Sequence, residues 1–197
     1  VYLEEKFPSI DSILEVNGAL CPNDELVAAI KGLNPNEQLV ADSQVLAKMG
    51  AGSTDVRFDS PYLIINHTWD IFTHNASEIK VDFKLITNGR KSAPISDPHT
   101  IVYNPENIFL EEGVAIKAAV LNAENGPIYL GKNSEVHEGS HIRGSFALCE
   151  GAHVNMGAKI RGDSTIGPFS KVGGEVGNAV IFANSSKGHD GYLGNSV

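Results

Sequence analysis

Residues 130–172 read "LGKNSEVHEGSHIRGSFALCEGAHVNMGAKIRGDSTIGPFSKV", and the stretch is ordered by six. Leu130, Val136, Ile142, Leu148, Val154, Ile160, Ile166 and Val172 follow one another at that spacing without a miss. With about a quarter of positions Leu, Ile or Val, chance gives roughly one in 10^5 for a given register. Four residues after each comes Ser134, Ser140, Phe146, Ala152, Ala158, Ser164, Ser170 or Val176, mostly small, and the positions between are rich in Gly, Asn and Asp. Small inward residues and turn formers every six residues describe short strands meeting at tight corners. A β-sandwich with accidental sixfold spacing is the competing reading.

This hexapeptide pattern resembles that of the left-handed parallel β-helix, which implies a triangular prism with three hexads per coil. Residues eighteen apart then stack at the ordinary strand spacing of about 4.8 Å. Leu130, Leu148 and Ile166 form one interior column, and Val136, Val154 and Val172 another. Leu110 and Ile116 start the array, with "NAENGP" as an insertion of two residues before the run resumes. Glu135, His153 and Lys171 are expected to stack on one outer column, and Arg143 above Arg161.

The first half has a different rhythm. "SILEVNGAL" reads as a buried strand running into a turn, and "LCPNDELVAAIKGL" as a capped helix ending near Gly32. Phe72, Ala76, Ile79, Phe83 and Ile86 predict a second helix with Thr68 as N-cap, Gly89 at its end and Trp69 and Phe72 in its packed face. "RKSAPISDPHTIVYNPEN", with three prolines and no helical period, reads as a linker. The organisation expected is therefore 1–66, a partial α/β domain; 67–107, a helix and Pro-rich linker; and 108–197, the coil.

Composition bounds the function. The 197 residues carry a net charge of −9 with 15 scattered Lys and Arg, which excludes an electrostatic footprint for nucleic acid. No apolar run is long enough to span a membrane. Cys21 and Cys149 stand far apart and outside metal-ligand spacing, which suits reduced thiols in a cytoplasmic protein. Cys149 is expected at an outer or corner position as a structural thiol. His137, His141 and His153 lie on the repeat in no ligand spacing, so no metal site is expected there. The chain starts on valine and ends as if a new repeat were beginning, so a segment of a longer protein is expected, with the coil truncated at its C-terminal end.

Four stretches, "WDIFTHN", "IRGSFALCEGAHVNMGAKIRGDSTIGP", "KVGGEVGNAVIF" and "KGHDGYLGNSV", together resemble a branch of sugar nucleotidyltransferases. That branch is similar to the bifunctional UDP-N-acetylglucosamine pyrophosphorylase/glucosamine-1-phosphate N-acetyltransferase. The resemblance implies an α/β nucleotidyltransferase domain, a linker helix and a left-handed β-helix that assembles as a homotrimer. It also implies acetyl-CoA as co-substrate and an amino-sugar phosphate as acceptor. The catalytic histidine of a Gly-His-x-x-Tyr-Leu-Gly stretch maps onto His189, with Gly188, Tyr192, Leu193 and Gly194 matching, and Tyr192 is then a sugar or phosphate contact.

Departures from the pattern bear on both activities. The aspartate that holds Mg²⁺ corresponds to Ala19 in "VNGALCP", so Mg²⁺ enters only if the nucleotidyltransferase half is complete and active. Ala183 stands near an expected lysine, and Lys187 is the nearby substitute. Arg143 and Arg161 are further candidates for binding a phosphate. Two other functions stay open: a non-catalytic trimerisation scaffold or sugar-nucleotide-binding protein, and a nucleotidyltransferase alone.

Overall fold

The structure, a computed structural model, describes residues 13–197 and divides into two compact units, Val1–Asn66 and His67–Val197. Ser12, in the first expected strand, lies outside the described residues.

In the first unit, β1 (Leu14–Val16), β2 (Leu20–Cys21), α1 (Asp24–Lys31), β3 (Glu37–Ala41), β4 (Gln44–Met49), β5 (Thr54–Arg57) and β6 (Leu63–Ile64) follow in order. Four strands form a sheet in the order β1-β4-β3-β5, while β2 pairs with β6. The hairpin between β3 and β4 turns on Asp42 and Ser43, both at positive φ, the conformation that matches the twist of a two-residue turn. Helix α1 forms where expected: the Asn23 side chain accepts from the Leu26 amide at 2.8 Å, and Asp24 and Glu25 occupy the first turn. Leu26 and Ile30 then pack with Leu33, Leu39, Leu46 and Phe58. The expected buried strand is corrected: β1 is an exposed edge strand, with Leu14 at 39% and Val16 at 48% exposure. An apolar run alone does not distinguish an edge from a centre.

The second unit opens with α2 (Thr68–Thr87), capped one residue earlier than expected, where Asp70 accepts from the His67 amide at 2.8 Å. Ile79 is buried, but Trp69 is corrected from packed to exposed: it is 56% accessible and stacks on the His67 ring. Asn75 holds the helix to the coil, donating to the Asp163 carbonyl at 2.9 Å and accepting from the Thr165 hydroxyl at 2.8 Å.

The chain then visits three stacks of parallel strands in turn, giving a parallel β-helix-like coil. One stack holds β7 (Ile101–Tyr103), β10 (Val120–Asn122), β13 (His141–Arg143), β16 (Lys159–Ile160), β19 (Glu175–Ile181) and β21 (Tyr192–Ser196). The second holds β8 (Ile108–Leu110), β11 (Ile128–Leu130), β14 (Phe146–Leu148), β17 (Ser164–Ile166) and the far end of β19. The third holds β9 (Ala115–Ile116), β12 (Glu135–Val136), β15 (His153–Val154), β18 (Lys171–Val172) and β20 (Ser186–Lys187). The stretch read as a linker supplies β7, and Ala93 and Ile95 pack on the core. Its prolines hide a strand only three residues long.

Through the middle of the coil the register follows the repeat. Leu130 pairs with Leu148 and Leu148 with Ile166, and Val136, Val154 and Val172 do the same. The insertion shows as Leu110 pairing with Leu130, twenty residues on. These aliphatic residues are at most 2% exposed, and Ser134, Ser140, Ser164 and Ser170 are buried with them. Corner residues Asn133, Gly151 and Phe169, again eighteen apart, all take positive φ. A Cβ on Gly151 would lie 2.7 Å from the Phe169 ring, so any larger residue at that corner would have to displace the ring.

The repeat breaks around β19. Ile160 pairs with Val176, a step of sixteen, because the corner at Gly173 and Gly174 is shortened by two residues. Ile166 pairs with Ile181 and Val172 with Lys187, steps of fifteen, as β19 continues from the first stack into the second through Asn178 at positive φ. Val176, expected as a small-position residue, is corrected to an inner-column residue paired with Ile160.

Candidate functional site

Shortening the coil brings together side chains that strict sixfold counting separates. Across the first stack, His141 pairs with Lys159, Lys159 with Glu175 and Glu175 with Tyr192, so four polar residues stand on successive rungs of one outer column. The loop 188–191, just before Tyr192, is held to the coil by the Asn155 side chain at the Gly188 carbonyl and the Glu175 amide at the Gly191 carbonyl, and with Tyr192 it borders an open groove of about 1380 Å³. His189, Asp190, Tyr192, Lys159, Glu175, His137 and the exposed Met156 line it. His189 and Tyr192 thus share one groove. His141, Lys159 and Glu175 were missed as site residues; the eighteen-residue step gave the first two, but the shortened corner at Gly173 and Gly174 moved Glu175 out of its counted column.

Lys187 is placed otherwise than as a substrate contact. Its ammonium donates to the carbonyls of Gly173 at 2.7 Å, His189 at 2.8 Å and Gly191 at 2.7 Å, which takes all three hydrogens. The residue therefore staples the loop that carries His189.

Arg143 and Arg161 lie at neighbouring rungs, and with His141 and Lys159 they line a second hollow of about 400 Å³. Arg161 donates to Glu175 at 2.9 Å, whereas Arg143 makes no ion pair among the described residues. The next outer positions, Gly177 and Gly194, pair with each other. A Cβ on Gly177 would meet the Arg161 stem at 3.2 Å, and one on Gly194 would collide with the Tyr192 hydroxyl. Two glycines so form a shelf over which the Arg161 stem and the Tyr192 ring lie.

The expected outer column is found: Glu135 pairs with His153 and His153 with Lys171. His137 folds back onto it, its Nε2 standing 3.0 Å from a Glu135 oxygen, with its ring 6.0 Å from that of His153. The Glu135 carboxyl is held below the usual carboxylate range, first by the hydrogen bond from His137, against partial burial. The expectation of no ligand geometry among these histidines counted positions along the strand and missed that a corner residue turns back.

Elsewhere, Cys149 sits half-buried after β14, where burial pushes its thiol up and keeps it in the unreactive protonated form, and neither it nor Cys21 is in a disulfide. Ala19 lies in the turn after β1, its amide donating to the Asn17 side chain at 3.0 Å and its carbonyl accepting from Ile65 at 2.8 Å. No helix among the described residues is long and apolar enough to cross a membrane.

No curated protein matches the chain. Residues 1–91, which take in the first unit and α2, match the family model described as sugar nucleotidyl transferase, so this part of the chain is similar to sugar nucleotidyltransferases.

Proposed function

We propose that the coil transfers an acetyl group from acetyl-CoA to the amino group of an amino-sugar phosphate, with His189 as general base, in a cytoplasmic protein allied to the sugar nucleotidyltransferases. The observation that carries this reading is the convergence of His189 and Tyr192 on one groove, beside the cationic hollow of Arg143, Arg161, His141 and Lys159. The imidazole of His189 takes a proton from the amine as its nitrogen attacks the thioester carbonyl. Collapse of the tetrahedral intermediate breaks the carbon–sulfur bond, and the thiolate leaves and is protonated to free coenzyme thiol. Tyr192 contacts the sugar across the glycine shelf, the arginine pair meets phosphate, and Lys187 positions the loop. In this reading the coil is left-handed, as the hexad pattern implies, and three copies pack side by side so that Met156 and the groove meet a neighbouring subunit.

The test is release of free thiol from acetyl-CoA by the full-length protein, across a panel of amino-sugar phosphates. His189→Ala is expected to lower kcat by about 10²–10⁴-fold with thermal unfolding unchanged. A variant as fast as the parent makes His189 a turn residue, and no acetylation across the panel hands the coil to the scaffold reading.

The family match over residues 1–91 favours a second activity, nucleotidyl transfer onto a sugar phosphate. Mg²⁺- and nucleotide-dependent release of pyrophosphate by the full-length protein tests it. Ala19 cannot ligate a metal, so this reading needs another carboxylate to hold the ion.

A further inference from the structure

The outer face of the third stack carries a second arrangement of chemistry, independent of the acetyl-transfer reading. Glu135 and His153 are register partners on adjacent parallel strands, so their side chains leave the same face of the sheet one strand spacing apart. His137 follows Glu135 by two residues, at the corner, and turns its Nε2 toward the carboxylate. One imidazole nitrogen from each histidine and one oxygen of Glu135 all lie within 4.8 Å of one another. All three residues are half-buried, which limits the competition of bulk water without closing the face to an ion.

From this geometry we infer that Glu135, His137 and His153 form a binding site for a divalent first-row transition metal, with Zn²⁺ the best fit. Two imidazoles and a carboxylate are a donor set that such ions prefer over Mg²⁺ or Ca²⁺, which take oxygen ligands. Bonds of about 2.0–2.2 Å require the three donor atoms to draw together from their present spread, a change within reach of side-chain torsions on a fixed ladder. Metal binding to His137 Nε2 replaces its hydrogen bond to Glu135 and requires the tautomer with the proton on Nδ1. Three protein ligands leave a fourth position for water or for a group bound in the adjoining groove, since the His137 ring lines that groove. Two cations weigh against tight binding: Lys171 on the next rung after His153, and Lys117, whose charge acts on Glu135.

The experiment uses full-length, tag-free protein stripped of metal by chelator and titrated with Co²⁺ as a spectroscopic probe, then with Zn²⁺. Expected are saturable binding of one ion per chain, a visible d–d absorption band of low-coordinate cobalt, and loss of that band as Zn²⁺ displaces it. His153→Ala and Glu135→Gln should each weaken binding at least tenfold, while His99→Ala, an exposed histidine outside the cluster, leaves it unchanged. Far-ultraviolet circular dichroism of each variant matching the parent shows that the coil is intact. Absence of stoichiometric binding, or binding that survives the double variant His137→Ala/His153→Ala, overturns the site. If a variant misfolds, histidine-ring NMR of the parent decides: paired shifts of two imidazoles on adding Zn²⁺ support the site, and unmoved rings refute it.

Discussion

The two units obtain their register in opposite ways. In the first, β3 and β4 are aligned by a two-residue turn, while β1 joins β4, β5 joins β3 and β2 joins β6 at separations that share no common spacing. In the second, alignment is carried by repetition: through the middle of the coil a residue's partner lies eighteen positions on, and the step changes only where a turn is lengthened or shortened. A hairpin unit thus gives its side chains individual positions that composition hardly predicts. A coil gives them addresses, and the candidate groove forms where an address shifts, at the shortened turn that brings Glu175 and Tyr192 onto the rungs after Lys159.

The largest effect that would sharpen this contrast is loss of a core rung. Leu148 is fully buried between the rungs of Leu130 and Ile166, and Leu148→Ala is expected to cost about 2–5 kcal/mol. Urea unfolding followed through Trp69, the sole tryptophan, reports the coil-bearing unit in which it lies. Leu46→Ala, with an equally buried side chain in the other unit, should change unfolding of the hairpin sheet instead, read by hydrogen exchange in β3 and β4. A Leu148→Ala variant as stable as the parent would break the comparison.

A smaller effect separates two serines at the same hexad position. Ser170 Oγ donates to the Phe182 carbonyl at 2.8 Å and accepts from the Ser185 amide at 3.0 Å, tying down the turn where the repeat breaks. Ser134 Oγ is equally buried and has no hydrogen-bond partner among the described residues. Ser170→Ala should therefore cost about 1–3 kcal/mol, and Ser134→Ala should be neutral or slightly stabilising. Equal losses would show that the position, not the partner, sets the cost.

Next comes the pH dependence of the joint between α2 and the coil. Arg90 donates to Glu111 at 2.6 Å and stands over the Phe109 ring, and the Tyr129 hydroxyl donates to Glu111 at 2.8 Å. Arg90, and to a lesser degree Tyr129, hold the Glu111 carboxyl below its ordinary range against partial burial. Its contribution is therefore present above the ordinary carboxylate pKa and is lost as pH falls through the lowered folded value. Burial and then Glu111 push Tyr129 up to about 12, so its contribution is full below 10.0 and is lost as pH rises from there to about 12. Thermal unfolding across pH should show both arms, and Arg90→Ala should move the acid arm to higher pH. An acid arm that stays in place would assign it to other carboxylates.

The smallest effect concerns Arg161 and Glu175, a pair whose arginine side chain is 68% exposed. Arg161→Ala should change stability by under about 1 kcal/mol while weakening sugar-phosphate binding. A large stability loss would recast the pair as part of the scaffold.

Legibility in the sequence followed the same division. The aliphatic period, the outer column of Glu135, His153 and Lys171 and the two-residue insertion were all present as spacing, because a parallel ladder turns sequence separation directly into spatial neighbourhood. Helix α1 was legible from its Asn23 cap for a local reason, since a cap acts within one turn. The exposure of Leu14 and Trp69 was not, because burial depends on what covers a face and the face carries no record of it.

By itself, then, the sequence determined the period, the corner chemistry and the pairing of residues eighteen apart, all consequences of backbone conformations fixed over six residues at a time. Only the tertiary structure decided that β19 continues from one stack into the next, that Lys187 gives its three hydrogens to the carbonyls of Gly173, His189 and Gly191, and that His137 folds back onto Glu135 and His153. These depend on where a corner is shortened and on which neighbours then stand within hydrogen-bond reach, and that distance exists only once the coil has closed on itself.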